Sequence, residues 1–245
     1  YDIGGLKTEK DADKVIEDWK YLVDHEKTTS SKAYLFNKGK PIVGLIIVGL
    51  KDSDMNLKIV DRLINFFKSD KKYGNCEIVL GVPYNWRTLN GDSVSDKQLH
   101  ILAKKSNYIM PWSVGRVTYN NFPENLETLK QDIQWTKKFG IKYLPVIYPG
   151  FSWHNLNKTS VMNEIPRNSG AFFSAMISNV KKAKAENVYV AMFDEIDEGT
   201  AIFKLSKNPP NTDLMKFVPL DKNISEDYYL KLTGDLAKYL KKQAR

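Results

Sequence analysis

Residues 41–50 read PIVGLIIVGL, ten consecutive positions without a polar side chain. Isoleucine and valine are stiff at their branched β-carbons and favour extended backbone, so the run reads as a strand. Nothing in it alternates with polar residues, which predicts a strand covered on both faces, as in a parallel sheet lined by helices. Residues 33–36 precede it across the turn Asn37-Lys38-Gly39-Lys40, and residues 9–26 place Val15, Trp19, Leu22 and Val23 at helical spacing. Beyond it, residues 54–68 form an amphipathic helix with Ile59, Leu63, Phe66 and Phe67 on one side. Residues 76–84 (CEIVLGVPY) are a second buried strand.

The alternation continues. A short helix over 96–105 leads to a third strand at 108–114 (YIMPWSV). A helix over 123–139 starts with Pro123 in its first turn and stops at Gly140, in line with the preferences of helix ends. Residues 143–148 (YLPVIY) are a fourth strand, 171–185 a helix, 188–193 (VYVAMF) a fifth strand and 226–242 a closing helix. Strands starting near 41, 76, 108, 143 and 188 recur at the length of a β/α unit. An open doubly wound sheet and a closed barrel both fit such a series. No glycine-rich phosphate turn follows any strand, which favours the (β/α)8 TIM barrel. Five strands are too few for eight, so Tyr1-Asp2-Ile3 is expected to be the tail of another strand, with the first strands upstream. No Ser/Gly-rich linker interrupts the chain, and residues 1–245 read as one partial-barrel domain.

Composition limits the function classes. The chain has 37 basic and 29 acidic residues and a formal charge of +8, yet only five of the basic residues are arginine. The lysines are dispersed, and no nucleic-acid-binding motif accompanies them, so they read as a solvated surface with no nucleic-acid partner. No apolar run reaches the roughly 20 residues needed to cross a bilayer, so no membrane partner is expected. A single cysteine, Cys76, excludes an internal disulfide framework. His25, His100 and His154 lack metal-ligand spacing, so neither a metal nor another cofactor is expected. A monomer is the expected state.

In α/β barrels chemistry sits at the C-terminal ends of the strands. Those ends carry Tyr84, Trp86 and Arg87 after the second strand, and Trp112 and Arg116 at the third. Tyr148, Trp153, His154, Asn155 and Arg167 lie at or after the fourth, and Asp2 belongs to the short segment upstream. Aromatic faces stack on sugar C–H surfaces while arginine, asparagine and histidine bind hydroxyls, so the set reads as a carbohydrate site. Trp86 and Trp112 also fit as core plugs beneath the barrel mouth. After the fifth strand come Asp194, Glu195, Asp197 and Glu198. Glycoside hydrolysis uses two carboxylates, and crowded carboxylates push their pKa values apart. Spacing alone admits two pairs, Glu195 with Glu198 and Asp194 with Asp197, each three positions apart. Gly199, next to the second glutamate, would let the backbone turn away sharply.

Phe193-Asp194-Glu195-Ile196-Asp197-Glu198-Gly199-Thr200 resembles the Asn-Glu-Trp-x-Glu-Gly-Thr segment of glycoside hydrolase family 99, the endo-α-mannosidases and endo-α-mannanases. Family 71, the fungal α-1,3-glucanases, is more distantly similar. The match extends to bacterial 71/99-like proteins of xylosidase/arabinosidase type at residues 81–87, 111–116, 149–155 and 165–168. This resemblance implies a (β/α)8 barrel acting on an α-linked glycan with retention. It implies Glu195 as base toward the sugar 2-hydroxyl, through an epoxide-like intermediate, and Glu198 as general acid/base. Asp194 and Ile196 stand where the family has asparagine and tryptophan. A carbohydrate-binding barrel without turnover and an accessory protein of polysaccharide glycosyl transfer are the alternatives. Polysaccharides are met outside the cytoplasm, so a secreted or periplasmic protein is expected.

Overall fold

The structure, a computed structural model, describes residues 1–243, so the last two positions of the domain read from the sequence lie outside the described residues. The chain divides into two compact units, one of Tyr1–Trp112 with Trp135–Tyr143, the other of Ser113–Gln134 with Leu144–Arg245.

The first unit is built on the apolar runs. Strands β1 (Phe36–Asn37), β2 (Lys40–Leu45), β3 (Glu77–Pro83), β4 (Tyr108–Trp112) and β5 (Lys142–Tyr143) form one sheet in the order of the chain. β1 and β2 are antiparallel, joined by Lys38 and Gly39, both at positive φ, which is the backbone that a tight two-residue hairpin requires. All later pairings are parallel, with Leu45 opposite Leu80, Leu80 opposite Ile109 and Ile109 opposite Tyr143. A doubly wound sheet reverses its strand order at a switch point, whereas a barrel adds each strand beside the last. The observed order has no reversal. Residues 1–3 extend the sheet as expected, through a parallel bridge between Asp2 and Ile46.

Helices α1 (Glu9–Asp24), α2 (Leu57–Ser69) and α3 (Gln98–Lys105) cover this sheet. In α2 the side chain of Asn56 accepts from the Lys58 amide and closes the exposed first turn, while Ile59, Val60, Leu63, Ile64 and Phe67 are buried. Each such side chain contributes about 1.5–3 kcal/mol on leaving water. Cys76 is buried beside them, and burial pushes its thiol up to about 11, so it stays protonated at neutral pH.

Three strand expectations change: the fifth strand, read at 188–193, keeps only Tyr189–Val190, and two earlier runs are altered as well. The strand in the run at 41–50 stops at Leu45: Ile46 only bridges Asp2, and Ile47 and Gly49 adopt positive φ. The run at 143–148 is two strands: β5 ends at Tyr143, and β6 (Val146–Ile147) starts after Leu144-Pro145. Proline donates no ladder hydrogen bond, so pairing breaks there. In the second unit β6 pairs in parallel with β7 (Tyr189–Val190). Helix α4 (Phe122–Lys138) is shared, its residues through Gln134 counted with the second unit and the rest with the first. Helices α5 (Ala171–Lys182) and α6 (Tyr228–Gln243) belong to the second. Phe172, Phe173, Val180, Tyr148 and Tyr229 are buried there.

Candidate active site

The four acids lie in the second unit, just beyond β7, in a turn that folds back on itself. The carbonyl oxygen of Glu195 accepts from the Thr200 amide at 3.1 Å and the Ala201 amide at 3.0 Å. The Gly199 amide donates to the Ile196 carbonyl at 3.2 Å. Gly199 has a φ of +66°, and a Cβ there would stand 3.0 Å from a Val218 methyl group, so both conformation and space favour glycine. The sharp turn expected from the sequence is present.

Glu195, Asp197 and Glu198 are half-buried, and Asp194 is exposed. The Glu195 carboxyl is pushed up to about 7, first by a hydrogen bond with Asp197, then by burial and by the charges of Asp197, Glu198 and Asp194. Burial, reinforced by Asp197, raises Glu198 as well. Because the folded state holds the Glu195 proton more tightly, this group favours folding below pH 4.5, and that contribution is lost as pH rises through about 7. Exposed apolar side chains flank the acids, with Phe193 at 60% and Ile196 at 42% exposure. Among the described residues, no group of three or more His, Cys, Asp or Glu side chains is placed to hold a metal ion.

A neighbouring arm, residues 151–167, is pinned by the two-way backbone pairing of Phe151 with Ile165. Trp153 on this arm is 39% exposed and lies against Phe151, with ring centroids 5.8 Å apart. His154 Nδ1 is 2.9 Å from the Ser160 carbonyl. A carbonyl can only accept, so Nδ1 carries a proton, which in the neutral ring leaves Nε2 as an acceptor. Trp153 and His154 therefore retain groups that a sugar could meet.

Other residues expected to bind substrate take different places. Tyr148 is fully buried, donates its hydroxyl to the Val117 carbonyl and packs on Phe172. Arg167 is 4% exposed, its Nη2 donates to the carbonyls of Gly199 and Ala201 at 2.7 Å each, and its guanidinium lies 4.6 Å from the Tyr229 ring centroid. Asn155 is committed on both sides of its amide to backbone groups of Asp197 and Lys216. Arg116 is exposed and donates to the Val114 carbonyl.

The remaining candidates belong to the first unit. Trp86 has no exposed surface and meets Trp135 edge-on at 4.8 Å, so it is a core plug and not a stacking platform. Tyr84 and Arg87 are half-buried, and Trp112 is half-buried at the end of β4. Asp2 is exposed and caps the Gly4 amide at 3.1 Å.

The fold matches solved glycosidase structures. The GH99 endo-alpha-mannosidase from Bacteroides thetaiotaomicron is similar over 94% of this chain and 62% of its own, with a TM-score of 0.68 and 16% identity. That enzyme's complex with bis-tris propane gives a TM-score of 0.67 at 17% identity, covering 94% of this chain and 67% of the other. A glycoside hydrolase-like protein matches with a TM-score of 0.52 and 13% identity, over 91% of this chain and 61% of its own. At these identities the likeness is one of fold, and this chain spans under two thirds of the first structure's length. No family model matches the sequence, and no curated protein matches it.

Proposed function

We propose that this protein is a retaining glycoside hydrolase acting on an α-linked glycan, with Glu195 and Glu198 as its catalytic pair and its sheet part of a (β/α)8 barrel. The observation that carries this reading is the turn beyond β7, which holds both glutamates half-buried with carboxyl groups raised above their ordinary values. A general acid must keep its proton near neutrality, and a base works best with a pKa near the working pH. Burial moves Glu198 in the direction a general acid needs, and Glu195, at about 7, suits a base.

In this mechanism Glu195 removes the proton of the sugar 2-hydroxyl, and that oxygen attacks the anomeric carbon. The bond to the leaving oxygen breaks as Glu198 donates its proton there. Water then gives a proton to Glu198 and attacks the anomeric carbon, which opens the epoxide-like ring, and Glu195 returns its proton to the 2-oxygen. Two inversions leave net retention. Hydrolysis of α-linked aryl glycosides and α-manno-oligosaccharides, with the product anomer read by NMR, tests the assignment. Release of the α-anomer is expected first, and binding without turnover would overturn it in favour of a carbohydrate-binding protein.

Two further results are expected. Asp197→Asn removes a charge and replaces a shared proton by an amide donor, which favours ionised Glu195. The acidic limb of the kcat/KM profile, expected near 7 in the parent protein, should move down toward the ordinary carboxylate range. An unmoved limb would separate Asp197 from that ionisation. Trp153→Ala should weaken glycan binding by about 1–3 kcal/mol, the scale of losing one aromatic contact. Calorimetric titration measures this directly, and unchanged affinity would take Trp153 out of the site.

A further inference from the structure

The carbonyl oxygens of the acidic turn are held in series by the 151–167 arm. Asn155 Nδ2 donates to the Asp197 carbonyl at 2.7 Å, the Ser152 amide to the Glu198 carbonyl at 2.8 Å, and Arg167 to those of Gly199 and Ala201. Asn155 does more than its neighbours. Its Nδ2 also donates to the Lys216 carbonyl at 2.8 Å, and its Oδ1 accepts from the Lys216 amide at 3.0 Å. Turning the amide over would set its oxygen against two carbonyl oxygens, so the orientation is determined by the chemistry. Both hydrogens and the oxygen of this side chain are engaged by backbone.

We propose that Asn155 is a positioning residue, which sets the placement of the catalytic carboxylates by clamping the Asp197 carbonyl between them to the backbone of Lys216. This rests on the assignment of Glu195 and Glu198 as the catalytic pair. Asp197 lies between those two glutamates in the chain and hydrogen-bonds Glu195, so a displacement of its backbone reaches both. With both amide hydrogens on backbone, Asn155 has none left to donate to a sugar. It acts through the turn.

Asn155→Ala removes the clamp, and Asn155→Asp keeps the shape while placing a carboxylate oxygen against two carbonyls. Both variants are expected to lose kcat roughly 10- to 100-fold, the scale of a misplaced catalytic group, with KM changed less than about threefold. The carboxyl titration of Glu195, followed by 13C NMR in the full chain, should fall from about 7 in Asn155→Ala as Asp197 loosens. A tenfold rise in KM with kcat retained would overturn the proposal, because Asn155 would then bind substrate. An activity loss that only follows the folded fraction in thermal melts, with the Glu195 titration unmoved, would overturn it too. If the parent protein hydrolyses nothing, the glycosidase assignment fails, and the NMR titration still decides whether Asn155 controls the turn.

Discussion

Glu195→Gln is expected to lower kcat by about 10²–10⁴-fold on every substrate the protein hydrolyses, while the fold and glycan binding survive. Glutamine keeps the size and hydrogen-bonding capacity of the side chain but accepts no proton. Activation of the 2-hydroxyl is needed whatever the leaving group, so an activated aryl glycoside should not rescue this variant. Glu198→Gln should behave differently, because an aryl leaving group of low pKa departs with little acid assistance. Its loss should be large on natural glycans and small in the first step on aryl glycosides. Steady-state kinetics on a series of aryl leaving groups measures the contrast. Mild, equal losses in both variants, with a collapse in Asp194→Asn or Asp197→Asn, would transfer the catalysis to the aspartates.

The second large effect concerns stability. Trp86 is wholly buried, edge-on to Trp135, with its ring centroid 6.1 Å from that of His100. Trp86→Ala should cost about 3–5 kcal/mol through lost burial and the cavity left behind. Denaturant unfolding should show this as a large fall in the transition midpoint. A variant of unchanged stability with weakened glycan binding would restore Trp86 to the substrate site.

The fold was legible wherever burial wrote itself into composition. The stretches at 76–84 and 108–114 hold strands because both faces of a parallel sheet are covered, and such strands are rich in apolar residues. The turn at Lys38-Gly39 was legible because few sequences tolerate its backbone. Strand ends were less so, since Ile47 reaches positive φ despite its branched side chain, which only tertiary contacts can impose. The acidic turn announced itself by four carboxylates after a buried run. Its supports did not. The Asn155 amide finds the Asp197 carbonyl 42 positions away, and a backbone carbonyl leaves no trace in the identity of its residue. Aromatic identity is equally silent on burial, so Trp86, Tyr148 and Trp153 read alike although, of the three, only Trp153 is exposed.

The unreversed strand order also bears on how the chain reaches this structure. Leu45 finds Leu80, Leu80 finds Ile109 and Ile109 finds Tyr143, so each parallel pairing among β2, β3, β4 and β5 joins a strand to its successor. Loop-closure entropy grows only slowly with loop length, and here it is met in similar instalments, one helix-bearing crossover at a time. None of these pairings has to wait for a distant part of the chain. The first sheet can therefore lengthen stepwise from any adjacent pair, without the slow search that distant strand pairing imposes.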